Sequence, residues 1–291
     1  MVALGDKLVV AEPGDRGEPS QNGKPKSIQV SDPVLGQEIR YLVKKPKGVI
    51  RTSDVAGIKS LNLSNRGIKD ISALQWFSGL QELDLGNDVE MEIKNEIDDI
   101  NALAGLTDLR SLNLSGNLIA DITALSQLTK LTYLDLGANR ISEIGILQNH
   151  TNLIDLRLPD NWITDIHSIA FLKNLAILVI GGNRITDISA LQNLKNLREL
   201  YIDNNLIDNI EPLGDLNKLK TLFMGDNQIA DISILSKLDG LEILAMEHNR
   251  IGNIQSLRKL TQLKTLYLSN NPISNFKAVQ PLYDRLDFKD F

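Results

Sequence analysis

The chain has 291 residues and a formal net charge of -6 at pH 7. This acidic balance argues against a nucleic-acid partner, which needs a basic stripe on the protein, and against docking on anionic lipid. The absence of cysteine excludes disulfides, thiolate metal sites and cysteine nucleophiles. No apolar run is long enough to insert into a membrane. The first residues also lack the basic start and apolar run of a signal peptide, so export would require a signal outside this sequence.

The N-terminal part of the chain predicts a lead-in followed by a cap. Residues 1–30 are rich in Pro, Gly and Lys, which indicates a flexible segment. A helical cap is predicted over residues 31–57, because Asp32 is a suitable N-cap and Pro33 suits the first helical position. A second short helix is expected to end at Gly57. Such a cap would cover the apolar end of a repeat array.

A repeat of 22 residues occupies most of the remaining chain, over residues 58–275. Two early copies of a Leu-x-Leu pair begin at Leu61 and Leu83, and a step of 29 residues then indicates an insertion near residues 88–99. Within each of about ten units, x-L-x-L-x alternates as a half-buried strand does, and I-x-x-L suits one short 3₁₀ or α turn. From the third copy onward the first leucine recurs without a break, at Leu112, Leu134, Leu156, Leu178, Leu200, Leu222, Leu244 and Leu266.

Units of this size bury too little apolar surface to fold alone, so neighbouring units must stack. We therefore predict an α/β fold, namely a right-handed leucine-rich-repeat solenoid, or horseshoe. Its concave face would be a parallel β-sheet, and its convex side would carry short 3₁₀ or α turns. Residues 276–291 are predicted to form a C-terminal cap, with Phe288 covering the last layer of the core.

Polar residues recur at fixed places in the unit. An acid such as Asp121 or Asp165 precedes the second isoleucine and is predicted to cap the convex turn. Arg66 and Asp88 occupy the position of a recurring asparagine in the first two copies, which predicts an irregular start. From the third copy onward, an asparagine that can bond backbone groups between coils stands at Asn117, Asn139, Asn161, Asn183, Asn205, Asn227, Asn249 and Asn271.

The insertion is acidic, and clustered carboxylates are the ligands that Ca²⁺ prefers. Its spacing does not match the EF-hand loop, so a solvated acidic loop is the favoured interpretation. No metal site is predicted elsewhere. His150 replaces a core leucine and is interpreted as a structural, partly buried residue. The other two histidines, His167 and His248, lie in different repeats, so no two histidines can share a metal ion.

The repeat segments NRITDISALQNLKNL (183–197) and NLIADITALSQLTKL (117–131) resemble the internalin-type bacterial leucine-rich-repeat family, and the segment 32–68 resembles its helical cap. The resemblance implies an exported protein that binds host or cell-surface proteins through its concave face. Neither an Ig-like domain nor a cell-wall anchor motif follows the array in this sequence. The repeat length also resembles an intracellular subclass whose arrays regulate a phosphatase.

The solvent-facing strand positions change character along the array, from small, polar and acidic residues to large apolar ones. An apolar patch rimmed by charge is typical of a contact site, and aromatic residues are typical interface hot spots. Cross-strand packing alone, as between neighbouring aromatics, is the alternative interpretation. The candidate partner-binding residues of the concave face are Tyr133, Arg157, Trp162, Ile177, Val179, Glu199, Tyr201, Asp203, Phe223, Ile243 and Tyr267.

These patterns favour a monomeric protein that binds another protein. The acids Asp155, Glu199, Asp203 and Glu247 around the patch indicate a partner with a basic or amphipathic surface. No phosphate loop or nucleophile constellation is present, so neither enzyme activity nor a cofactor is expected. Three functions stay open: a bacterial extracellular or cell-surface adhesion module, which is favoured; a cytoplasmic scaffold that regulates an enzyme such as a phosphatase; and a structural or engineered repeat scaffold.

Overall fold

A computed structural model describes residues 25–88 and 90–291 of the chain. Within these residues, two α-helices, α1 (Pro33–Leu42) and α2 (Thr52–Val55), precede a single sheet. Its strands are β1 (Ser60–Asn62), β2 (Glu82–Asp84), β3 (Ser111–Asn113), β4 (Tyr133–Asp135), β5 (Asp155–Arg157), β6 (Ile177–Val179), β7 (Glu199–Tyr201), β8 (Thr221–Phe223), β9 (Ile243–Ala245), β10 (Thr265–Tyr267) and β11 (Phe288–Lys289). Short 3₁₀ helices return the chain at Ser72–Trp76, Asn101–Leu103, Thr123–Leu125, Gly145–Asn149, His167–Phe171, Ser189–Asn193, Glu211–Leu213, Ser233–Lys237, Gln255–Lys259 and Gln280–Arg285.

All the strands pair in parallel with their sequence neighbours, in the order β1 to β11. The register sets each central leucine against the next, as Leu112 lies against Leu134. Because every coil places its apolar residues at the same positions, leucines and isoleucines such as Ile119 and Ile141 stack into one continuous buried core. The predicted right-handed leucine-rich-repeat solenoid, with a parallel concave sheet and short 3₁₀ turns, is confirmed.

The recurring asparagines join neighbouring coils. The Oδ1 atom of Asn139 accepts the N–H of Ile119 at 3.0 Å. Its Nδ2 donates to the carbonyl oxygens of Leu114 and Leu136, both at 3.0 Å. One buried carboxamide thereby satisfies backbone groups of two successive coils that the sheet leaves unpaired. The predicted structural role of these asparagines is confirmed.

The second coil obeys the same rule with a different residue from the one predicted. Asp88 is exposed, whereas Asn95 is 2% exposed. The Oδ1 atom of Asn95 accepts the N–H of Ile68 at 2.9 Å. Its Nδ2 donates to the carbonyl oxygens of Leu63 and Leu85 at 2.9 and 3.0 Å. The prediction that Asp88 holds the asparagine position is therefore wrong, because a carboxylate cannot donate to these carbonyl groups.

The acidic insertion consequently lies between Asn87 and Asn95, ahead of the ladder residue. The Asn87 side chain closes the base of the loop: its Oδ1 accepts the Asn95 N–H at 2.7 Å and its Nδ2 donates to the Asn95 carbonyl at 2.9 Å. After the loop the chain returns to the core with Ile97. Across the described residues, no group of three or more His, Asp or Glu side chains is arranged to hold a metal ion.

The convex turns contain two groups that sequence patterns single out. The carboxylate of Asp121 accepts the N–H of Thr123 at 2.8 Å, and Asp165 accepts that of His167 at 2.8 Å. The acids therefore bond the first N–H of each 3₁₀ turn, but they do so from the position before the N-cap, which is Ile122 or Ile166. His150 is completely buried, whereas the sequence predicts a partly buried residue. Its Nε2 lies 3.0 Å from a backbone carbonyl oxygen, and burial lowers the pKa of the imidazole, so the ring is neutral and donates this bond.

The N-terminal cap is joined to the first coil by one carboxylate. The Oδ1 atom of Asp32 accepts the N–H groups of Val34 and Leu35, both at 2.9 Å, and so caps α1. Its Oδ2 accepts the N–H groups of Lys69 and Asp70 at 2.8 and 3.2 Å. Burial acts to raise the pKa of Asp32, but these four bonds outweigh it and hold the pKa below its usual range.

The start of the cap differs from the sequence expectation. Residues 1–24 of the predicted lead-in lie outside the described residues, but Ile28 and Val30 are buried against the cap, and Ser27 pairs with Arg51. Segment 27–30 is thus part of the cap rather than flexible, because its two apolar side chains join the core.

No helix in the described part of the chain is both long and apolar enough to cross a membrane.

The C-terminal cap closes the core differently from the prediction. Phe288 is 63% exposed and does not cover the last layer. Leu282 and Leu286, on the last 3₁₀ helix and just after it, are buried there instead. Phe288 lies opposite Thr265 in the short parallel strand β11. Because side chains alternate along a strand, the Phe288 ring faces solvent on the concave side of the sheet. Asp290 then accepts the N–H of Leu268.

Candidate functional site

The outward-facing residues of β6 to β10 form a row across the concave face. The register sets Val179 against Tyr201, Tyr201 against Phe223, and both Phe223 and Tyr267 against Ala245. Scattered residues, each about 22 positions apart, therefore become neighbours at roughly the 4.8 Å spacing of paired strands. We call the partly exposed apolar members of this surface the concave patch: Ile177, Val179, Tyr201, Phe223, Ile243 and Tyr267.

An aromatic pair lies at the centre of the concave patch. The rings of Tyr201 and Phe223 stack with centroids 5.0 Å apart and planes 19° apart. The Tyr201 hydroxyl donates to Glu199 at 3.2 Å, and burial, together with the charge of Glu199, raises the pKa of the phenol. Ala245 is completely buried on the strand between Phe223 and Tyr267. The strands of the patch therefore present one contiguous apolar surface.

A polar cluster borders the patch on its N-terminal side and contains two of the predicted binding residues. The Nε and Nη2 atoms of Arg157 donate to the two carboxylate oxygens of Asp155, each at 3.0 Å. The Arg157 guanidinium also lies 6.0 Å from the centre of the Tyr133 ring. Burial, followed by the charge of Asp135, raises the pKa of Tyr133 to about 12. Arg157 is thus already paired within the chain, and both residues border the patch rather than lie in it.

Trp162 lies beside the sheet rather than on it. Asp160 adopts a left-handed conformation, with φ of 52°, and turns the chain out of the strand direction. Beyond that turn the Trp162 N–H donates to the Ile141 carbonyl of the previous coil at 2.9 Å. The indole is 51% exposed. The structure therefore places Trp162 in the segment beyond the turn that follows β5, whereas the other predicted residues occupy the sheet and its immediate edge.

Two carboxylates lie at the edge of the patch, each folded over a glycine of the preceding strand. A Cβ atom at Gly181 would lie 3.0 Å from both carboxylate oxygens of Asp203. One at Gly225 would lie 2.9 Å from Oε1 of Glu247. The glycines thus make room for these acids. The Oε2 atom of Glu247 is buried and has no hydrogen-bond partner among the described residues.

The charged groups that act on Asp203 are acids. Burial raises the pKa of its carboxyl group, a hydrogen bond from its own backbone N–H opposes this in part, and the charges of Asp160 and Asp226 raise the pKa further. No lysine or arginine occupies an outward position of β6 to β10. The site therefore combines an aromatic surface with carboxylates that form no ion pair within the described part of the chain, an arrangement suited to non-covalent recognition.

The comparisons with known proteins agree with this architecture. The internalin C2 structure from Listeria monocytogenes shares 33% identity, with a TM-score of 0.70, over 77% of this chain and 97% of that chain. The family model described as Leucine Rich repeats (2 copies) matches residues 107–149, 151–193, 173–215, 195–237, 217–259 and 239–282. The chain is an internalin-type leucine-rich-repeat protein. It is accordingly a protein-binding module, because proteins with this fold are typically interaction modules rather than enzymes.

Further solved structures resemble this internalin-type chain. The internalin inlF of Listeria monocytogenes shares 28% identity over 89% of this chain and 95% of that chain, with a TM-score of 0.59. The plant peptide hormone receptor RGFR1, in complex with RGF2, shares the fold at 19% identity and a TM-score of 0.64, over 76% of this chain and 38% of that chain. No protein in the curated set matches the sequence significantly.

The internalin-type array also carries a concave residue that sequence reasoning missed. Phe288 shares a column with Ile243 and Thr265, because β11 continues the sheet beyond β10. The step from Leu266 to Lys289 is 23 residues rather than 22, and Lys289 replaces the usual leucine. Because of these two departures, the 22-residue leucine repeat does not predict strand β11. The aromatic residue Phe288 is the one feature of the sequence that indicates it.

Proposed function

We propose that this internalin-type chain is an extracellular or cell-surface recognition module that binds another protein through the concave patch. The observation that carries the proposal is the stacked pair of Tyr201 and Phe223 at the centre of a contiguous apolar surface. Such a surface, rimmed by carboxylates, is typical of protein contact sites. Similarity to inlF and internalin C2 supports an exported location. We propose no catalytic role.

The alternative interpretation is that these side chains serve only to support the sheet. Cross-strand aromatic pairs contribute roughly 0.2–1 kcal/mol each, which a packing role would explain. However, half-exposed rings lose little of this energy on truncation, whereas a central interface aromatic costs about 2 kcal/mol or more of binding energy. A substitution that separates stability from binding therefore distinguishes the two interpretations.

The test is a triple variant, Tyr201→Ala, Phe223→Ala and Tyr267→Ala. Its matched control is Tyr41→Ala with Phe171→Ala, which removes exposed aromatics from the cap and the convex side. The immobilised wild-type protein is used to capture partners from surface-protein extracts of candidate host or neighbouring cells, and the captured partner is then purified for calorimetry. We expect the triple variant to bind it at least about 100-fold more weakly, with the control unchanged.

Equal affinity of the wild type and the triple variant would refute binding through the concave patch. Thermal unfolding of the triple variant should lie within a few degrees of the wild type, since only partial cross-strand contacts are lost. The location is tested by antibody labelling of intact source cells. Labelling that requires cell lysis would contradict the proposed extracellular location.

A further inference from the structure

The immediate surroundings of the aromatic pair are charged on both sides. Glu199 and Tyr201 lie two positions apart on β7, so both face the concave side, and Asp203 follows at the end of the same strand. Glu247 lies over Gly225, next to the end of the strand that carries Phe223. Three carboxylates therefore bracket the stacked rings, one at one end and two at the other.

These carboxylates form no ion pair with any other residue that the structure describes. Arg157, an arginine on the outward side of β5, forms two bonds with Asp155 and is thereby satisfied. Asp203 has further acids as its charged neighbours, namely Asp160 and Asp226. The Oε2 atom of Glu247 is buried without a hydrogen-bond donor among the described residues. A carboxylate oxygen that is buried without a donor is unfavourable, so a donor supplied from outside the chain would stabilise Glu247.

One chemical group complements both features at once. A guanidinium is planar and stacks on aromatic rings, and its fork of N–H donors matches a carboxylate in a bidentate arrangement. The Tyr201–Phe223 pair offers the aromatic surface, and Asp203 and Glu247 offer the acceptors. Gly181 and Gly225, the residues beneath these two acids, lie two strands apart, which places the carboxylates roughly 10 Å from each other on either side of β7.

We infer that the partner protein inserts an arginine side chain over the Tyr201–Phe223 pair, between the carboxylates of Asp203 and Glu247. This inference rests on the proposed function and specifies the chemistry of the partner. The guanidinium supplies the missing donor to Glu247 and neutralises the acidic edge. Glu247 is partly exposed with a long unbranched side chain, so it can turn from Gly225 toward the cation.

The test uses a displayed library of random peptides, selected on the intact wild-type protein. We expect the selected peptides to carry an arginine at one fixed position among apolar residues. Synthetic versions of these peptides are then measured by calorimetry against the wild type. Replacing that arginine with citrulline, which is isosteric but uncharged, should weaken binding at least tenfold.

Two variants show where the arginine binds. Asp203→Asn with Glu247→Gln removes both carboxylates but keeps their shape and the aromatic pair, and it should weaken the arginine peptides at least tenfold. The control, Glu143→Gln with Asp239→Asn, makes the same change in net charge at exposed acids away from the concave face and should have no effect. Equal affinity for arginine and citrulline peptides, or for the two double variants, overturns the inference.

The two proposals fail in different ways. Selected peptides that lose binding on Tyr201→Ala and Phe223→Ala, but carry no required arginine, would refute the arginine site and leave the concave patch intact as the binding surface. Peptides that bind equally well without those two aromatics would instead refute the concave patch. A further readout is stability: removing the unpaired charges at Asp203 and Glu247 should raise the melting temperature of the free protein.

Discussion

Asn95 allows a sharp test of how the second coil is built. Substitution by alanine removes a carboxamide that is 2% exposed. It leaves the N–H of Ile68 and the carbonyl of Leu63 without their partners, which lie 2.9 Å from the Asn95 side chain in both cases. Each buried unpaired backbone group costs about 1–3 kcal/mol. We therefore expect Asn95→Ala to lower the free energy of unfolding by about 3–5 kcal/mol.

The matched control is Asp88→Ala, at the residue that the repeat period assigns to the ladder. Asp88 is exposed and lies in the acidic loop, so its substitution should change stability by no more than about 0.5 kcal/mol. Urea unfolding is followed through the fluorescence of Trp76, which packs against the core in the first coil. A Trp162→Phe background removes the other indole signal.

The effect should be concentrated in the N-terminal coils, because a solenoid is stabilised by nearest-neighbour contacts. Amide exchange at Ile68 should accelerate in Asn95→Ala and stay slow in Asp88→Ala. If Asp88→Ala is as destabilising as Asn95→Ala, or if Asn95→Ala stays within about 0.5 kcal/mol of the wild type, Asn95 is not the ladder residue.

Three further predictions concern single residues. Asp32→Ala should lower the free energy of unfolding by about 2–4 kcal/mol, as it removes an N-cap and two bonds to the first coil, and it should make the cap sensitive to proteolysis. Ala138→Gly should raise thermal stability by about 0.5–1 kcal/mol, since Ala138 has φ of 50°; an unchanged or lower melting temperature would contradict this. Burial depresses the pKa of His150 in the folded chain, so the buried neutral ring contributes its full stability above about pH 6.5. As the pH falls below this value, the unfolded chain binds the proton first and the free energy of unfolding decreases. Urea unfolding at pH 7.5 and 5.5 should therefore show a larger loss for the wild type than for His150→Leu, and equal losses would exclude His150 as the cause.

Much of the fold follows from spacing in the sequence. The step from Leu134 to Leu156 repeats so regularly that strand positions, core residues and the parallel register can be predicted together. The same register places Tyr201 beside Phe223, so the apolar row of the concave face is also predictable. This works because each coil is short and contacts only its neighbours, which leaves little freedom for alternative arrangements.

Spacing fails where the unit departs from its period. The insertion moves the ladder position from residue 88 to Asn95, and only the burial and bonds of that carboxamide identify it. The one-residue longer step to β11 hides the position of Phe288 in the same way. A local sequence pattern does not show which of two candidate polar residues is buried in the core.

The order of the repeats, the identity of the core and the composition of the concave row are properties of the amino-acid sequence alone. Tertiary structure decided which polar side chains are free to meet a partner. Arg157 is paired with Asp155, whereas Asp203 and Glu247 lie over glycines and form no ion pair among residues 25–88 and 90–291. These differences depend on where each side chain points and on which charges surround it, and residue type does not specify either.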